Sequence, residues 1–151
     1  MNRTLRRIAI LATLSLLALP SVASARPTLW GGAGFNDLGS AYALLNVQSG
    51  RVSLTNVQLV LACTDTEDGT ESERAFDARF RNRVNLRLNR FTMEFSALSN
   101  GRLGAVRMTG RLGSNGRGSA VVEVNAVGTG EGGEVVERCQ GRARIQLRRG
   151  A

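Results

Sequence analysis

The sequence predicts an all-β chain: an antiparallel β-sandwich or small up-and-down barrel of about six to eight strands, held by one disulfide. Three observations carry that reading. Apolar residues recur at every second position in segment after segment. The segments are bounded by Gly, Asn and Ser. Pro20 and Pro27 are the only prolines, so none interrupts a later strand.

The first 25 residues read as a signal peptide. Arg3, Arg6 and Arg7 form a positive start, Ile8 to Leu19 an apolar run, and Ala23-Ser24-Ala25 a small-residue cleavage site. The apolar run is about 12 residues, shorter than the roughly 20 that span a bilayer, and nothing later is long or apolar enough to cross. The chain is therefore expected to be exported, to a periplasmic, cell-envelope or extracellular location, with no membrane span in the mature part. Residues 26–40, with "LWGGAGFN" at their centre, are expected to be a Gly-rich lead-in whose Trp30 and Phe35 plug an open end of the sheet. Residues 41–151 are then a single β domain, long enough for a core of its own.

Within that domain Ala41 to Val47 fits a strand, with a short helix as the alternative. Val57, Leu59, Leu61 and Cys63 share one face of the next strand. Phe80, Val84, Leu86 and Leu88 share another, followed by Phe91, Met93, Phe95 and Ala97. Val106, Met108, Gly110 and Leu112 come next, then Ala120, Val122, Val124 and Ala126, and last Cys139, Ala143, Ile145 and Leu147. Asn100-Gly101 is a two-residue hairpin signal. Centring a turn there sets Met93 opposite Met108, Phe95 opposite Val106 and Glu94 opposite Arg107. A five-residue loop over 113–117 keeps the parity and sets Arg107 opposite Glu123. Glu94 and Glu123 are thus expected to flank one arginine in an outward ladder. A turn at Asn89-Arg90 brings both cysteines to the same end of the sheet.

Cys63 and Cys139 are the only cysteines, and both lie on apolar faces. In an exported chain they are expected to form one internal disulfide. It would close a loop of about 75 residues and stabilise by about 4 kcal/mol on the chain-entropy account. Two distant sulfurs in a chain without histidine cannot fill a zinc shell.

Every basic residue is an arginine. Leaving out Arg3, Arg6 and Arg7 brings the +8 net charge of the full sequence to +5. Arg79, Arg81, Arg83 and Arg87 alternate along one strand and Arg142, Arg144 and Arg148 along the last, both sets facing away from the apolar side. Guanidinium forks match phosphate and carboxylate bidentately, so these rows are the candidates for an anionic extracellular polymer. Stacking aromatics do not interleave with them, which argues against a nucleic-acid platform and against sequence-specific nucleic-acid recognition.

Asp65, Glu67 and Asp68 open an acidic loop, and the same topology brings Glu131, Glu134 and Glu137 near it. Calcium is the cation such crowding would attract, although Gly69 and Phe76 fall where an EF-hand needs other residues. The bland alternative is a solvated tip. The glycines of 31–34 lack the third glycine and the strand–turn–helix setting of a dinucleotide fingerprint. Trp30 could instead stack on a carbohydrate or apolar ligand.

Catalysis is poorly supplied. Without histidine there is no Ser–His or Cys–His dyad. Glu94 with Glu123 is the one strand-borne carboxylate pair, and both face out. The expected function is a noncatalytic envelope or extracellular binding module, without a cofactor. A calcium-stabilised adhesion or structural module and a barrel holding a small apolar ligand are the alternatives.

Overall fold

The computed structural model describes residues 26–150, the side chain of Asn82 excepted; the leader expected over 1–25 lies outside the described residues. Eight antiparallel strands follow one another: β1 (Thr28–Asn36), β2 (Gly39–Gln48), β3 (Arg51–Asp65), β4 (Glu71–Asn85), β5 (Arg90–Ser99), β6 (Arg102–Leu112), β7 (Arg117–Thr129) and β8 (Val135–Arg149). Their order in the sheet is β4-β3-β2-β1-β8-β7-β6-β5. Two meanders, β1–β4 and β5–β8, are therefore joined through β1 and β8. Ala41 to Val47 belongs to β2, not to a helix.

The expected lead-in is corrected. Residues 28–36 are β1, paired on one side with β2 and on the other with β8. Gly32 and Gly34 lie opposite Leu147 and Ile145. A Cβ at either glycine would collide with the backbone carbonyl of Gln146 or of Arg144. The glycines that suggest a loose segment are what allow β1 to approach β8 so closely. Trp30 is buried at 5 % exposure and belongs to the core, whereas Phe35 is 76 % exposed. The two do not act together as a plug.

The two edge strands meet. Phe80 of β4 stacks on Phe95 of β5 with ring centroids 4.7 Å apart. The Asp77 N–H donates to Ser99 Oγ (2.9 Å) and Asn100 Nδ2 to the Ala75 carbonyl (3.2 Å). At the connection Arg87 and Arg90 exchange backbone hydrogen bonds of 2.9 and 2.8 Å around Leu88-Asn89. The turn thus falls one residue earlier than Asn89-Arg90. Among the described residues this is the only backbone bridge of that seam. The sheet is rolled into an up-and-down ring, hydrogen-bonded at seven junctions and closed by side chains at the eighth.

The ring is tapered. The β1–β2 hairpin ends at Asp37-Leu38, with Asn36 Nδ2 donating to the Val60 carbonyl (2.7 Å). Beyond that tip β3 pairs directly with β8, Cys63 opposite Cys139. Eight strands lie side by side at one rim and six at the other. The cysteines form the expected disulfide, with Cα atoms 4.0 Å apart and the bond buried inside the ring. It staples the first meander to the second where the wedge ends.

Inside, alternation does what the pattern demands. Leu45, Val57, Leu61, Met93, Met108, Val122 and Ile145 are fully enclosed. The rings of Phe76 and Phe91 occupy the space that side chains at Gly104 and Gly110 would need. Apolar residues fill the interior and charged residues face out at mid-strand, the reverse of a barrel that crosses a membrane with strands. The Asn100-Gly101 turn and both registers expected around it are observed.

Candidate functional site

Strand direction sorts the charge. The ends of β3, β5 and β7 and the starts of β4, β6 and β8 make one rim. There Asp65, Glu67, Asp68, Glu71, Glu73, Glu131, Glu134 and Glu137 gather around two loops. The loops touch, because Thr66 Oγ1 donates to the Val135 carbonyl (2.8 Å) and the Thr66 N–H to that of Val136 (2.9 Å). At the opposite rim are Arg51, Arg83, Arg87, Arg90, Arg111, Arg117, Arg148 and Arg149, without a carboxylate between them among the described residues.

The acidic loop is organised by its own backbone. Asp65 Oδ1 accepts the N–H groups of Glu67 (2.8 Å) and Asp68 (3.3 Å), and Asp68 Oδ1 accepts that of Thr70 (2.8 Å). The Thr70 side chain and backbone hold the Asp68 carboxyl below its usual value. Asp65, Glu67 and Asp68 do not converge into a ligand set. The one such grouping among the described residues is Cys63, Glu137 and Cys139, and its sulfurs are joined to each other.

Glu137 is the residue the sequence did not single out. It is 92 % enclosed, at 8 % exposure, beside the disulfide. Arg102 Nε and Arg74 Nε (3.3 Å) both bind its carboxylate, and Ser72 Oγ donates to it (3.3 Å). Burial alone would raise its pKa. The Arg102 hydrogen bond and charge, the Arg74 charge and the Ser72 hydroxyl outweigh that and hold it below the ordinary glutamate value. Glu137 thus ties β8 to β4 and β6.

The expected outward ladder exists, with one change of partner. Glu94 pairs with Arg107 (3.2 Å) as the register implies. Glu123 faces Arg107 across β6–β7 but forms its ion pair with Arg142 of β8 (3.2 Å). Four charges of alternating sign therefore cross β5 to β8.

The two arginine rows are not adjacent. β4, which carries Arg79, Arg81, Arg83 and the neighbouring Arg87, stands four places from β8 in either direction around the ring. Arg142 is spent on Glu123, while Arg144 and Arg148 are exposed and make no ion pair among the described residues. What links the rows is an arc that sequence reading passed over. Arg87 bridges to Arg90, Arg90 faces Arg111, and Arg117 faces Arg148. Arg90, Arg111 and Arg117, which join Arg87 to Arg148, sit singly at strand ends in the sequence, and only the register aligns them. Arg149 lies over Trp30, 5.8 Å from its ring, and donates to the Ser114 carbonyl (2.9 Å). Trp30 is therefore no open stacking surface.

A concavity of about 710 Å³ lies on the outer face between the hairpin tip and the β3–β8 junction. Its lining mixes Glu71 and Glu73 with Arg138, Asn125 and Gln140, so it favours neither sign of charge.

In comparisons with protein-family models, curated proteins and solved structures, nothing matches this chain. The functional reading rests on its own residues.

Proposed function

We propose that the chain is an exported, noncatalytic binding module that holds an anionic polymer along its arginine rim. The observation that carries this is the arc Arg87–Arg90–Arg111 with Arg117–Arg148, arginines set directly against one another without a carboxylate. Like charges directly opposite in a sheet destabilise it. A chain of anionic groups would relieve that repulsion, and each guanidinium fork could bind one group bidentately.

Export is supported by the leader-like residues 1–25 and by the disulfide, which is consistent with an oxidising compartment. A noncatalytic role is supported by the lack of histidine in the sequence and by the engagement of Glu94 and Glu123 in outward ion pairs. The self-satisfied acidic loop weighs against the calcium reading, and the filled interior against a small apolar ligand.

The test titrates residues 26–151, with the disulfide formed, against long-chain polyphosphate between 50 and 200 mM salt. Affinity should fall at least tenfold over that range, since each arginine engaged displaces bound counterions (about 0.7–0.9 per contact on nucleic-acid polyanions). Combined Arg90→Glu, Arg111→Glu and Arg117→Glu should abolish binding. Combined Arg79→Glu, Arg81→Glu and Arg138→Glu, none of them on that rim, should retain most of it. Salt-independent binding, no binding, or equal loss in both triple variants overturns the proposal.

A further inference from the structure

Within that rim, and resting on the reading just given, the geometry points to a discrete site for a phosphoryl group on the outer face of β5–β8. A depression of about 300 Å³ there has a floor of short side chains, Thr109, Ser119 and Val121. Arg90 and Arg111 stand on one side of it and Arg144 on the other.

Register explains the shape. Arg90, Arg111 and Ser119 form one cross-strand row, and Thr109, Val121 and Arg144 the next. β7 lies between β6 and β8, so Arg111 and Arg144 flank Ser119 and Val121 across two strand spacings, about 10 Å. Two long side chains can close over that span. Ser119 and Thr109 supply hydroxyl donors beneath them.

The same four strands provide an internal contrast. One row further toward the acidic rim, Glu94, Arg107, Glu123 and Arg142 neutralise one another in two ion pairs. No carboxylate lines the depression, and among the described residues Arg90, Arg111 and Arg144 form no ion pair. Asp37, on the neighbouring β1–β2 turn, makes no ion pair with Arg144. Where the chain needs a neutral outer face it places glutamates between arginines; here it places hydroxyls.

The donor set selects the ligand. A carboxylate presents two coplanar oxygens, which one arginine fork satisfies. Donors that rise from the floor and close from both sides suit a tetrahedral group with three free oxygens. A phosphoryl group at about −1.5 to −2 also balances three arginines better than a singly charged sulfate ester. The anionic polymer of the rim is therefore one that carries terminal phosphoryl groups, each with three free oxygens.

Tripolyphosphate, binding to residues 26–151 followed by calorimetry, is the probe. One equivalent should bind. Arg111→Gln and Arg144→Gln should each weaken it about tenfold, and Ser119→Ala together with Thr109→Val about fivefold. All are surface changes, and none should lower the melting temperature; Arg111→Gln, which relieves its repulsion with Arg90, should if anything raise it. Polyglutamate of matched charge should bind more weakly and respond little to the hydroxyl variants. A parallel arm uses phosphatidylcholine vesicles containing phosphatidic acid: binding that depends on Arg111 and Arg144 supports the site and identifies a lipid headgroup as the source. If tripolyphosphate binds but ignores all four substitutions, while the rim triple variant still abolishes polyphosphate binding, the site is overturned and the rim reading stands. If wild-type protein binds neither phosphate chain, both fall.

Discussion

An L-residue in the left-handed region carries a steric penalty of about 1–2 kcal/mol, because its Cβ crowds the following carbonyl. Leu88 sits there, with φ 47°, at the tip of the β4–β5 turn and 94 % exposed. Parity alone groups it with Phe80, Val84 and Leu86 on the apolar face; the tight turn lifts it off. Asparagine tolerates this backbone far better, so Leu88→Asn should raise the melting temperature by about 3 °C or more, read by calorimetry. Glu137 shows the opposite failure of local reading. In sequence it is one more carboxylate among many, because neither Arg74 nor Arg102 is near it along the chain. Its folded-state carboxyl titrates below the unfolded one. The stability it contributes is therefore complete above the unfolded glutamate range and is lost as pH falls through the folded value. Glu137→Gln should cost about 2 kcal/mol in urea unfolding at pH 7, with a smaller difference from wild type at pH 3.

Among the elements, β5–β6–β7 was the most legible from sequence. A two-residue turn at Asn100-Gly101 fixes register by itself, and every pairing follows from counting. The first half of β3 was hidden by a bulge. Inward residues run Val52 and Leu54, then Val57 and Leu59, so the period of two skips a place. β1 was misread for a different reason. Glycine weakens a strand considered alone, and the need for it at 32 and 34 is set by carbonyls of β8, more than 100 residues away. Gly34→Ala should therefore lower stability by about 2 kcal/mol. Amide exchange should quicken first along β1 and the C-terminal half of β8, while β6 stays protected. Equal loosening throughout the ring would sink that account.

For the whole molecule, a single topological fact accounts for the charge pattern. Consecutive antiparallel strands return arginine-bearing ends to one rim and carboxylate-bearing loops to the other. Composition yields a modest net charge; strand parity already gathers most carboxylates at one end, and the ring order adds the unpaired arginine rim at the other. That order depends on β1 meeting β8, a contact between the first strand and the last that no local pattern encodes. The same contact carries a consequence for the covalent chain. Trp30 stands opposite Arg149, and beside them the Gly150 N–H donates to the Leu29 carbonyl (2.8 Å), so the first strand and the last close a circle. Which strand comes first is then arbitrary. In residues 26–151, a short linker from β8 back to β1, with the chain cut instead in the exposed tip Glu67–Gly69, would keep each strand beside its present neighbours and the disulfide in its place.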